Sequence, residues 1–477
     1  MRREIIPLVM KFGGTSMGSA ERIKVAARLS IEQHQLRPVA IVVSAMSKIT
    51  DLLLDTMSKA EKGDEAGVDA NLATLAVRHH TCCHELLPVA SQAPAIAGVD
   101  RIIAEFARMA NGMMLLGERP VQSVDKALPT GERLSALMMA AYLESAGVRA
   151  TDVNACSVIA TDDVFGNASP LMEETRERAT QVIKPLFAQN VLPVMTGFNG
   201  STLENHPTTL GRGGSDYSAS ILAAALDAGE LWIWTDVDGI MTADPRLVKD
   251  ARVLSAITYA EAAELAYAGA KVLHPRTLAP LVEKQIPVWS KNSFAPEKPG
   301  TRIVPEIESA DGPHAVTSMG EVALVAIEPT PRAPSGTKLM AEALEALDAS
   351  GVELLAITSS SYRQSFCFLV RKAELKRALT QLEDTFQLEL AHGHMLPIQV
   401  DEQVGLIAVV GEGMRGTPGL AGRIFTAISR KRINVIAIAQ GSSELTIAIV
   451  VRRDGMEDAV RALHAECGLG RESAGPS

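Results

Sequence analysis

The chain has 477 residues, which at roughly 150 residues per domain suggests about three domains. A hydrophobic share of 47% beside 21% charged residues describes an ordinary soluble globular protein with ample core material. The net charge of −10, without a long Lys/Arg run, argues against nucleic acid as the main partner. Five cysteines are too few for a disulfide framework, so free thiols in a reducing compartment are expected. The start "MRREIIPLVMK" is too short in apolar residues for a leader, and no later stretch approaches a membrane span. A cytoplasmic protein without membrane partners is the expectation.

From residue 5 to about 305, strand and helix patterns alternate. Strands are predicted at "IIPLVM" (5–10), "VAIVVSA" (39–45), "RATDVNA" (149–155), "VLPVMTGF" (191–198), "LWIWTDV" (231–237) and "IPVWSKN" (286–292). Helix-period runs such as "SAERIKVAARLSIEQ", "RLSALMMAAYLESAG" and "SASILAAALDAG" fall between them, several closing on glycine. This alternation predicts an α/β domain with a covered, mainly parallel sheet, whose ligands gather at the carboxyl ends of the strands.

The first strand runs into "KFGGTSMGSAERI", where Lys11, Gly13, Gly14, Thr15 and Ser16 lead into a helix. Glycines admit an anion close to the backbone, and a helix start offers N–H groups to phosphate. The spacing is neither a P-loop nor GxGxxG, and a tight strand-to-helix turn reads the same way. The second strand ends at "SAMSKIT", with hydroxyls on Ser44, Ser47 and Thr50 that serve equally well as helix caps. "RHHTCCHEL" (78–86) holds three histidines and two cysteines, but no second Cys/His pair completes a usual zinc pattern, and no metal site is assigned. "LPTGERLSA" puts Glu132 in a first helical turn, where the dipole alone favours an acid. "LGRGGSDYSA" brackets a glycine pair with Arg212 and Asp216, opposite charges set where the backbone is loosest. "WIWTDVDGIMTADPR" ends a strand in an acidic, turn-rich segment that suits a ribose or ordinary loop punctuation. "AYAGAKVLHPRT" places Lys271 and Val272 between small and apolar residues.

Beyond "PEIESADGP" (305–313), a linker by composition, an internal repeat follows. "VALVAIE" (322–328) matches "VGLIAVV" (404–410) at an offset of 82, while "GVEL" (351–354) matches "RINV" (432–435) and "FCFLV" (366–370) matches "IAIVV" (447–451) at 81. Each copy reads strand, helix, strand, strand, helix, which suits a ferredoxin-like βαββαβ module.

Together, "KFGGTSM", "TGERLSA", "TLGRGGSDYSA", "WTDVDGIMTADPR" and "GAKVLHPRT", in that order, closely resemble the aspartate kinases of the amino-acid kinase superfamily, and the repeat resembles their tandem ACT domains. The resemblance implies a catalytic domain over 1–305, a linker and donated strand over 306–321, and ACT domains over 322–400 and 401–477. It implies ATP and Mg²⁺, with transfer of the γ-phosphoryl group to the side chain of L-aspartate giving 4-phospho-L-aspartate, the first step toward lysine, threonine and methionine. Lys11 and Asp216 would be catalytic. Ser44, Thr50, Glu132 and Arg212 would bind aspartate, the arginine fork suiting a carboxylate and the acids an ammonium. Lys11, Gly13, Gly14, Gly213, Gly214, Ser215, Thr235, Asp236, Met241, Arg246, Lys271 and Val272 would hold ATP. One departure is Met241, where many relatives carry tyrosine.

Glutamate or N-acetylglutamate kinases are the nearest rivals, although an N-acetylated substrate would leave Glu132 and Asp216 without an ammonium. A sensor that has lost catalysis is the rival of another class, and the intact charged set speaks against it. A fused homoserine dehydrogenase is not expected, because the chain ends soon after the second repeat. Lysine or threonine is expected as a feedback effector between the ACT modules, with "GTPGLAGRIF" receiving an α-carboxylate and Gln440 and Ser442 nearby. A homodimer or higher homo-oligomer through the ACT domains is implied. Counting strands adds one more expectation. "FQLELA" (386–391) would close the first repeat's sheet, whereas the second repeat lacks a last strand, so "HAVTSMG" (314–320) is predicted to pair into the second module.

Overall fold

The computed structural model describes residues 6–270, 273, 275–307, 312–333, 335–361 and 364–470. They divide into two compact units, one drawn from 1–240, 255–259 and 273–306, the other from 241–254, 260–272 and 307–477.

Ten strands belong to the first unit: β1 (Leu8–Phe12), β2 (Val39–Val43), β3 (Ala150–Val153), β4 (Leu192–Thr196), β5 (Asn199–Ser201), β6 (Pro207–Thr209), β7 (Glu230–Thr235), β8 (Ala256–Thr258), β9 (Val288–Asn292) and β10 (Thr301–Val304). Eight of them form one sheet in the order β3-β4-β2-β1-β7-β9-β10-β8, parallel except between β9 and β10. β5 and β6 make a separate hairpin. Strands covered on both faces read as unbroken apolar runs, and β1 and β2 are buried at every position. That makes Lys11, inside β1, chemically conspicuous.

The flanking helices include Ala20–His34, opened by Ser19 accepting from the Arg22 amide, and Thr130–Ser145. Glu65–Leu86 and Val89–Leu116 are two long helices packed on each other, and their inner side chains join the sheet's core. Within the first of them, His79 is buried and its Nδ1 lies 2.7 Å from the Leu75 carbonyl oxygen, while His80 meets Asp100 and His84 meets Gln92.

The second unit holds two antiparallel four-stranded sheets. β12 (Val322–Ile327), β13 (Ala356–Ser359), β14 (Phe366–Arg371) and β15 (Gln399–Asp401) lie in the order β13-β14-β12-β15. β11 (Ala315–Met319), β16 (Val404–Val410), β17 (Val435–Gln440) and β18 (Thr446–Arg452) lie in the order β11-β16-β18-β17. β11 runs antiparallel to β16 from Ala315 opposite Val410 to Met319 opposite Leu406.

One local expectation is corrected. "FQLELA" is not a strand: Gln387–Ala391 is a helix, and the edge of that sheet is β15 on β12. Phe386 and Leu390, four apart, pack into the module's core while Leu388 faces out, a helical spacing that a two-residue alternation imitates. The matched segments "GVEL" and "RINV" both start at a left-handed residue that stops a helix, Gly351 (φ 65°) and Arg432 (φ 57°); β13 begins at Ala356 and β17 at Val435.

Candidate active site

The carboxyl ends of β1, β2, β4 and β7 converge because these strands are parallel neighbours in register. Here Lys11, 7% exposed, would bury an ammonium, which needs a charged partner. It has one: Nζ lies 2.5 Å from Oδ1 of Asp216. Asp216 is placed by the helix Gly214–Ala225, which Gly213 opens from a left-handed φ of 68° without a side-chain cap.

Glycines set the spacing around this pair. The Gly13 amide donates to the Trp234 carbonyl at the end of β7 (3.1 Å), and a Cβ on Gly13 would come 3.6 Å from the lysine Nζ. A Cβ on Gly14 would approach the Ala45 carbonyl at 3.0 Å, and one on Gly197 would lie 3.0 Å from Cα of Ser215. Ser44 donates its amide to the Phe12 carbonyl, which brings the end of β2 beside β1. Thr50 stands in the first turn of the helix Ile49–Glu61, whose Ile49 would lie 3.1 Å from a Cβ on Gly131.

Glu132 follows that glycine and is 3% exposed. Burial pushes its carboxyl up to about 7, and the amides of Ala45 and Glu132 and the Lys11 ammonium pull it back only in part. Its Oε2 has no hydrogen-bonding partner among the described residues. Thr235 ends β7 and Asp236 follows it, and the Thr235 carbonyl accepts from the Ser293 amide at 2.9 Å.

The first unit therefore brings together Lys11, Gly13, Gly14, Ser44, Thr50, Glu132, Ser215 and Asp216. Arg212 is exposed on the turn just before the Gly213–Gly214 pair. Met241 and Arg246 belong to the second unit, where Met241 bridges to Val253 and Arg246 binds Asp244 at 2.6 Å. Lys271 and Val272 lie outside the described residues. Gln440 closes β17 and Ser442 follows it in a turn, both exposed.

Residues 7–292 match the amino acid kinase family, and 407–467 match the ACT domain. Aspartokinase 3 of the Arabidopsis thaliana chloroplast is 32% identical, over 96% of this chain and 81% of its own. The chain belongs to the aspartokinases of the amino acid kinase family. The bifunctional aspartokinase/homoserine dehydrogenase 1 of Arabidopsis thaliana is 35% identical over 97% of this chain and 51% of its own. The chain thus spans about half the length of the bifunctional relatives it matches. Escherichia coli aspartokinase III in complex with aspartate and ADP (R-state) superposes with a TM-score of 0.82 at 27% identity, covering 96% of this chain and 99% of that one. Its complex with lysine and aspartate (T-state) gives 0.78 at 28% identity, with the same coverage.

Two residues near this cluster had no signal in the sequence. The Ala45 amide facing Glu132 belongs to a residue type that carries no information. Asp125, in the short helix Val121–Ala127, is one ordinary acid among polar neighbours, yet it is 1% exposed. Among the described residues no helix is long and apolar enough to cross a membrane.

Proposed function

We propose that this chain is an aspartate kinase, transferring the γ-phosphoryl group of ATP to the side-chain carboxylate of L-aspartate to give 4-phospho-L-aspartate. One observation carries the reading: the buried Glu132 carboxyl, with an oxygen lacking a partner among the described residues, stands beside the Lys11–Asp216 pair at the carboxyl edge of a parallel sheet. Such a site offers both signs of charge to a zwitterion. An N-acetylated acid would leave the Glu132 oxygen buried and unsatisfied, at a cost of about 1–3 kcal/mol.

The acceptor carboxylate, with an ordinary pKa near 3.9, is ionised at neutral pH and needs no general base. One of its oxygens forms the new bond to the γ-phosphorus while the bond to the bridging oxygen breaks, and ADP leaves with the electron pair. No proton has to move. The obstacle is repulsion between anions, so positioning and charge neutralisation do the catalysis. Lys11 neutralises the transferring phosphoryl oxygens, and Asp216 holds that ammonium in place. The Gly13–Gly14 backbone and the helix start at Gly213, Gly214 and Ser215 receive phosphate. Arg212 takes the α-carboxylate, Glu132 the ammonium, and Ser44 and Thr50 line the acceptor. Thr235 and Asp236 complete the nucleotide end of the first unit in this reading.

Mg²⁺ is ordinarily held by one or two carboxylates together with substrate phosphates and water, and Asp216 and Asp236 suit that donor set. Bound there, it would neutralise phosphate charge.

Lysine or threonine is the proposed effector of the ACT modules, supported by the lysine complex of the E. coli enzyme; in this reading Gln440 and Ser442 help to hold it. Self-association through the ACT sheets completes the reading, supported by Ile436 and Ile438 exposed on β17. The five free cysteines support a cytoplasmic location. The test is a coupled assay of ADP release with L-aspartate, L-glutamate and N-acetyl-L-glutamate as acceptors. Aspartate should be preferred by at least about a hundredfold in kcat/KM, since a missing charged contact is penalised heavily. Equal or better use of either competitor would overturn the assignment.

A further inference from the structure

Asp125 lies outside the charged set already described, and its carboxylate is spent on two chain segments that flank the acceptor end. Oδ2 accepts from the Gly166 amide (2.7 Å) and the Thr209 amide (2.9 Å), and Oδ1 accepts from the Thr209 hydroxyl (2.7 Å). Thr209 ends β6, three positions before Arg212. The Gly166 turn continues into Asn167 and Ala168, and Ala168 donates its amide to the Thr209 carbonyl at 2.9 Å. A Cβ on Gly211 would lie 2.4 Å from Oδ1 of Asn167, so the two segments interlock at the glycine before the arginine. Arg276 ties the same turn to the next element: it bonds Asn167 and the Ala168 carbonyl, and its guanidinium lies 5.1 Å from the ring centre of Tyr217, beside Asp216. In sequence, Asp125 is also seven positions ahead of Glu132.

We propose that Asp125 is a positioning residue for the amino-acid acceptor. It fixes the Arg212 turn against the 166–168 turn, and so sets how well the acceptor's carboxylate is held without touching it. A charge-assisted hub of three bonds is stronger than its neutral equivalent, and a buried one lost leaves three donors unsatisfied. The proposal rests on the reading of Arg212 as the acceptor's carboxylate ligand.

The test is steady-state kinetics with each substrate varied in turn, on the full chain. Asp125→Ala should raise KM for aspartate about tenfold or more while KM for ATP changes less than about twofold. Asp125→Asn should restore KM for aspartate to within about threefold, because the Thr209 hydroxyl can turn to accept from the amide. Thr209→Val, which removes one side-chain bond and keeps the backbone bond, should raise KM for aspartate about fivefold, again selectively. It also decides the matter if Asp125→Ala does not fold. An unchanged KM for aspartate, or an equal rise for both substrates, would overturn the proposal. A wild-type chain that does not turn over aspartate would instead sink the functional reading on which it rests.

Discussion

At the scale of single residues, the Glu132 carboxyl links burial to pH. Its value of about 7 in the folded chain exceeds the ordinary 4.5, so the folded state favours the protonated form. That preference stabilises the ligand-free protein fully below about 4.5 and is lost as pH rises through about 7. Only the ionised carboxylate pairs with an ammonium, so KM for aspartate should fall as pH rises from about 6 to 8. Glu132→Gln should flatten that dependence, keep KM high throughout, and raise the melting temperature relative to wild type above pH 7. A variant retaining the wild-type pH profile would remove Glu132 from the ammonium site. Lys11→Ala should lower kcat by about two orders of magnitude or more, the scale of losing a preorganised electrostatic stabiliser. Arg212→Lys keeps the charge but loses the planar fork, and should raise KM for aspartate about tenfold or more with little change for ATP. A larger effect on ATP would move this arginine to the nucleotide end.

Among the elements, the pairing of β11 with β16 makes a cooperative claim. Val316 on β11 is buried in the second sheet's core with Ile407 and Val409. Amides of 315–319 should therefore exchange with those of 404–410 and not with those of 322–327, and Val316→Asp should expose the former group first. Exchange of β11 in step with β12 would contradict this. Six of the eight strands in the main sheet were legible in the sequence, most of them as short apolar runs, whereas β8 and β10, three and four residues long, were too short to show a pattern. The helix Glu65–Leu86 was not, because polar Asn71 and His79 occupy inward positions beside Val68, Leu75 and Cys82 and so break the apolar period. "FQLELA" failed for the opposite reason, since its alternation fits two periods and only packing chooses between them. At the site, the charged residues next to glycines could be read directly. Asp125 could not, since its importance lies in three bonds to distant segments.

On the scale of the whole molecule, two sheets of one unit meet along a seam lined by Ala356, Thr358 and Cys367 from one and Ala437 and Ala439 from the other. Both repeats contribute to that seam, so a shift in one repeat bears on the other. Lysine and threonine, titrated singly and together into the kinase assay, should reveal inhibition by at least one. No response to either would remove the regulatory reading and leave the catalytic one intact. The central claim is narrower: these charges hold L-aspartate so that its side-chain carboxylate meets the γ-phosphorus. Trapping the product with hydroxylamine measures it most directly, because an acyl phosphate yields a hydroxamate at the carboxyl that was phosphorylated. The account predicts the side-chain hydroxamate of aspartate, formed in step with ADP and abolished in Lys11→Ala. ADP release without hydroxamate, or a hydroxamate at the α-carboxyl, would contradict it.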